Sequence, residues 1–145
     1  NAAAPARRNR KENSMSDSRP WASMLERAKT NSFLGKELFV VFTYPADGLE
    51  PIMENITEHL AYQRMLEDTG VMFAAGPMAD RGGETWSGSG MVVIRAENNA
   101  AAEKIAAADP MHAAGARKFH VQPWLVNEGT ITVKVGFASG SRELD

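Results

Sequence analysis

Three histidines, His59, His112 and His120, are the side chains of this 145-residue chain best suited to exchanging a proton near neutral pH. No pair of them has metal-binding spacing of the HxH or HExxH kind. Cysteine is absent, which removes disulfides, thiol nucleophiles and thiolate metal sites together. Phosphate-cradling GxxxxGK[ST], dinucleotide-binding GxGxxG and the GxSxG nucleophile elbow are absent too. What remains is acid–base chemistry. His59 lies in residues 50–77, EPIMENITEHLAYQRMLEDTGVMFAAGP. Period-3.6 spacing there predicts a helix of about five turns followed at once by a strand. Leu49, Ile52, Met53, Ile56, Leu60 and Leu66 gather on one side of the wheel, and His59 and Gln63 fall inside that stripe. Asp109 stands directly before Pro110, where a second helix must break. If the two helices lie side by side, the carboxylate accepts from one imidazole nitrogen and leaves the other as a general base. The same two residues also fit a structural reading, as a packing histidine and a helix terminator.

The elements that would bring them together follow in order. Ser18 reads as the N-cap of a short helix with Pro20 in its first turn, ending at Gly35. Residues 38–44, LFVVFTY, form a buried strand, and residues 71–75 form a second buried strand closed by Gly76-Pro77. Residues 78–88 make a flexible glycine-rich loop carrying Trp86, a candidate lid or equally a dimer contact, and residues 89–96 a third strand. Asn98 or Asn99 caps a second, alanine-rich helix that must sit close to the sheet. Residues 119–126 form the fourth strand, an edge or bulged one because Pro123 lacks a donor. Residues 130–137, TITVKVGF, alternate like a half-buried strand, and the tail beyond them is polar and frayed.

The result is a helix, then β-α-β-β-α-β, then an extra strand. The middle is the split β-α-β, ferredoxin-like order of an α+β fold. Both helices cover one sheet face, and the other, apolar in every strand, calls for a partner. A two-fold homodimer packing sheet on sheet is the expectation, with the C-terminal strand crossing or extending the neighbour. Residues 1–19 read as a disordered basic leader or as residues added ahead of a native start at Met15, residues 20–36 as a helical extension, 37–126 as the central domain and 127–145 as a C-terminal strand and tail.

Composition narrows the function. The hydrophobic fraction is 43% and the charged fraction 23%, ordinary for one globular domain. Residues 1–19 carry a net +3 and the remainder −5, so the folded part presents no electrostatic footprint for nucleic acid. No apolar run is long enough to span a bilayer, and the lack of cysteine suits a reducing cytoplasm.

His59-Leu60, Ala75-Gly76-Pro77, Gly88-Ser89, Asp109-Pro110, Ala114-Gly115 and Val121-Gln122-Pro123-Trp124, in that order and spacing, resemble the YCII-related (YciI-like) family over residues 37–126. The resemblance implies a dimeric ferredoxin-like α+β barrel with a His–Asp pair at a cleft. His59 and Asp109 would be that catalytic pair, and Ser89 and the backbone beside Gly76-Pro77 would line the pocket. His112, just past the Asp-Pro turn, could reach the same cleft. One member is a dehydrochlorinase of a chlorinated hydroxyhydroquinone, so the implied activity is a small cofactor-free lyase or isomerase acting on a small molecule. The alternatives are a non-catalytic dimeric domain binding a small ligand or protein, and a cofactor-free monooxygenase or haem-handling protein. Two positions depart from the family pattern. Ile56 stands where many members have arginine, leaving Arg81 or Arg64 as substitutes, and Met111 replaces an aromatic of the pocket wall.

Overall fold

The computed structural model of the chain describes residues 18–144. The expected basic leader thus lies, up to residue 17, outside the described residues. β1 (Lys36–Pro45) pairs with β3 (Gly90–Ile94) on one side and β4 (Arg117–Val126) on the other; β2 (Met72–Pro77) lies beyond β3. All pairings are antiparallel, in the order β2-β3-β1-β4. Between β1 and β2 run α2 (Glu50–Glu54) and α3 (Ile56–Asp68), and between β3 and β4 run α4 (Asn99–Ala107) and α5 (Pro110–Ala113). This is the ferredoxin-like α+β arrangement. β4 is an edge strand, as Pro123 requires.

Alternation along β1 divides the core. Phe39 and Val41 pack with Ile94, Ala102 and Ala106 under the helices, while Leu38, Val40 and Val93 cluster on the other face. Ala102 and Ala106 are buried because methyl side chains let α4 approach the sheet closely. Asn98 caps that helix, its Oδ1 accepting the Ala101 N–H at 2.9 Å. Outside this unit, α1 (Trp21–Thr30) is joined to β1 by a hydrogen bond from Trp21 Nε1 to Glu37 Oε1.

Several features differ from the sequence-based expectation. The long helix is broken at Asn55, whose Nδ2 donates to the Pro51 carbonyl at 2.9 Å while its own N–H turns to Ile52. The side chain thereby occupies the carbonyl that a continuous helix would have used. Ile52 and Leu66 are buried, but Met53 and Leu60 are more than half exposed. β2 is exposed along most of its length, because it is an edge strand facing a cleft. The N-terminal helix begins at Trp21, with Pro20 and not Ser18 at the cap position. The C-terminal strand is only Val133–Val135 (β5) and pairs with Arg142–Leu144 (β6), in the tail expected to fray. This hairpin has no core of its own, and Val133, Val135 and Phe137 stay exposed rather than half-buried.

The loop between β2 and β3, expected to be flexible, is crossed by several hydrogen bonds. Asp80 accepts from the Glu84 and Thr85 N–H groups and the Thr85 hydroxyl, and Met78 N–H donates to the Ser89 carbonyl. The loop docks on α2 through Gly88. There φ is +101°, and an added Cβ would stand 2.7 Å from Cδ1 of the fully buried Ile52. Gly88→Ala should therefore cost about 2–3 kcal/mol in urea unfolding. Gly83→Ala, at φ +73° but with open space around it, should cost only about 1 kcal/mol. Equal losses would show that backbone strain alone, and not the contact with Ile52, makes Gly88 necessary.

Candidate active site

His59 and Gln63 are one helical turn apart on α3 and so share a face. Asp109 is the N-cap of α5, with Pro110 in the first turn and the Met111 N–H donating to Oδ1 at 2.9 Å. Side-by-side packing of the helices brings the two sets together. His59 Nδ1 lies 2.8 Å from Asp109 Oδ2 and 3.0 Å from Oδ1, and Gln63 Nε2 donates to Oδ2 at 2.9 Å. A carboxylate only accepts, so Nδ1 carries the hydrogen and Nε2 of the neutral ring keeps its lone pair. Nε2 has no protein partner among the described residues and is not sealed from solvent.

Burial alone would push the Asp109 carboxyl upward. The hydrogen bond and charge of His59, helped by the Met111 amide, outweigh it and hold the group below the usual aspartate range. Tyr62, whose hydroxyl donates to the Ile105 carbonyl at 2.8 Å, is shifted upward by burial and then by the Asp109 charge, so it remains a donor.

His59 opens into a cleft of about 730 Å³ between α3, β2 and the β2–β3 loop. Gly76 and Pro77 line it, as does Trp86, whose indole donates to the Ser89 carbonyl at 2.8 Å. Two expected lining residues do not belong to this cleft. Ser89 is not part of the wall, its carbonyl being used to tie down Met78 and Trp86. His112 faces a separate void of about 10 Å³, room for at most one water. Its Nδ1 donates to the Ala106 carbonyl at 2.6 Å, which leaves Nε2 to accept from the Thr43 hydroxyl at 2.9 Å. Burial lowers its pKa, favouring this neutral form. Met111 is also no part of the cleft wall: it is fully buried with Ile52 and Ala116. His120 stacks on Phe42 and Tyr44 on the far face of the sheet.

Arg117 was not singled out by the sequence reading, yet it lines the cleft with His59, whereas the exposed Arg64 and Arg81 do not. Strand alternation carried the signal, since Arg117 shares the inward parity of Phe119 and Val121. Among the described residues no group of histidine or acidic side chains could hold a metal ion, and no helix is long and apolar enough to cross a membrane.

Because the folded-state carboxyl of Asp109 is depressed, its stabilisation is present above the unfolded-state value and is lost as pH falls through the folded one. Urea midpoints measured from about pH 5 downward should therefore fall more steeply in the parent protein than in Asp109→Asn, which cannot ionise. Identical slopes would mean that the contact with His59 does not favour the charged form. Asp109→Ala strands three donors and should cost about 2–4 kcal/mol at neutral pH.

The profile of the YCII-related domain matches residues 38–125. No curated protein matches the chain. Among solved structures, the fold is similar to 5-chloro-2-hydroxyhydroquinone dehydrochlorinase (TftG) from Burkholderia phenoliruptrix AC1100, in complex with 2,5-dihydroxybenzoquinone. The TM-score is 0.52 and the identity 23%, covering 60% of this chain and 92% of that one. At that identity the likeness is one of fold. The profile spans more than half of the chain and contains the whole β-α-β-β-α-β unit but for the ends of its outer strands, so the chain belongs to the YCII-related domain family.

Proposed function

We propose that the chain is a small cofactor-free enzyme of the lyase or isomerase type with His59 as its general base. The observation that carries this reading is the Nδ1–Asp109 contact of 2.8 Å, which leaves Nε2 as a lone pair at a cleft large enough for a small organic molecule. A proton from an acidic C–H or O–H of the substrate passes to Nε2. The electron pair left behind moves toward a carbonyl oxygen or expels a leaving group such as chloride from the next carbon. Asp109 stabilises the imidazolium and fixes the ring, and return of the proton to another atom completes an isomerisation. The open cleft favours catalysis over a purely binding role. A cysteine-free chain of this kind suits the cytoplasm.

The dehydrochlorinase of similar fold suggests the first substrate to assay, 5-chloro-2-hydroxyhydroquinone, with chloride release as the readout. His59→Ala should lower kcat by roughly 10²–10⁴-fold with the urea midpoint little changed. Full activity in that variant would remove His59 from the mechanism.

The protein is further proposed to act as a homodimer. Tyr44 and Trp124 are 41% and 43% exposed on the sheet face away from the helices, and Phe137 of the hairpin is fully exposed. A second copy related by a two-fold axis would cover both. Light scattering should give twice the chain mass, and Trp124→Glu should shift it toward one chain. A monomeric parent protein would rule this out.

A further inference from the structure

Arg117 begins β4 on the face covered by the helices and is only 7% exposed. Its guanidinium has no hydrogen-bond or ion-pair partner among the described residues, and Nε is sealed from solvent without an acceptor. The terminal nitrogens are equally without protein acceptors but are not sealed, and the residue lines the cleft that holds His59. Asp109 is the carboxylate whose charge Arg117 feels. It forms no ion pair with it, because its oxygens are engaged by His59, Gln63 and the Met111 amide. The Thr43 hydroxyl, which also lines the cleft, donates to His112 and makes no hydrogen bond with Arg117.

A buried cation without a counter-charge is costly to fold around. A planar fork of donors is also the geometry that grips a delocalised oxyanion by two parallel hydrogen bonds. We propose that Arg117 is the anion anchor of the cleft. It binds a planar oxyanion on a small organic substrate, a carboxylate or an ionised ring hydroxyl, and so presents the adjacent acidic hydrogen to His59 Nε2. The substrate of the proposed reaction is then an anion. The orientation at Nε2 rests on the acid–base reading given above, whereas the anion binding does not.

Calorimetric titration of benzoate and of its neutral counterpart benzamide separates the two. The parent protein should prefer benzoate by roughly tenfold or more, as expected for a charge-assisted bidentate contact. Arg117→Met should abolish the preference, leave benzamide binding unchanged, and keep or raise the urea midpoint, because it removes an unpaired buried charge. Arg117→Lys, a point charge without the fork, should retain part of the preference and serves if the methionine variant does not fold. His59→Gln should keep the whole of it. No preference in the parent, or an undiminished one in both Arg117 variants, overturns the assignment. Full turnover in His59→Gln with a preference that still follows Arg117 would defeat the acid–base reading and leave the anchor standing.

Discussion

A carboxylate that is almost completely buried has to be answered by donors, and the centre of this molecule is arranged around that requirement. Asp109 collects them from three directions: the ring of His59, the amide of Gln63 and the backbone of Met111. Two of these come from α3 and one from α5, so satisfying a single side chain fastens the first helical layer to the junction of the second. Leaving any of these donors unpaired would cost more than the hydrogen bond itself contributes, which makes the arrangement specific as well as stable. The chemistry is a by-product of the same constraint, because the nitrogen that answers Asp109 determines which nitrogen of His59 remains free.

Environment, not residue type, separates the three histidines. His59 has a carboxylate behind it and open space in front. His112 sits between a backbone carbonyl and a hydroxyl and is held neutral by burial. His120 lies between two aromatic rings on the other side of the sheet. Only the first has both an orienting partner and an accessible lone pair. Arg117 completes the electrostatics: it is buried close enough to feel the Asp109 charge, yet Asp109 is answered by other donors and Arg117 has no acceptor among the described residues.

The walls of the cleft follow from how the sheet ends. β2 is the last strand on its side, and its Ala-Ala-Gly-Pro run is too small to fill the space beneath α3. The loop that follows packs on α2 at a glycine whose place a side chain could take only by displacing Ile52. On the opposite sheet face Leu38, Val40 and Val93 are buried, but Tyr44 and Trp124 there and Phe137 of the C-terminal hairpin carry apolar surface that no described residue covers.

Much of this was written in local patterns. Strand alternation, alanine content, the Asn98 cap, the Asp-Pro break and the edge-strand proline each act within a few residues, so the split β-α-β order and the facing of His59 and Gln63 were legible from spacing alone. The break at Asn55 was not, because a side chain competing for its own helix's carbonyl leaves the hydrophobic period unchanged. Nor were the exposure of β2 and the burial of Met111, which depend on which strand ends the sheet and which neighbours close over it. Sequence nominated His59 and Asp109. Only the packing of α3 against the turn before α5 decided that they touch, that Ser89 and His112 stand outside the cleft, and that an unremarked arginine stands inside it. These are relations between residues distant along the chain, and burial and hydrogen-bond partners are settled by what meets in space.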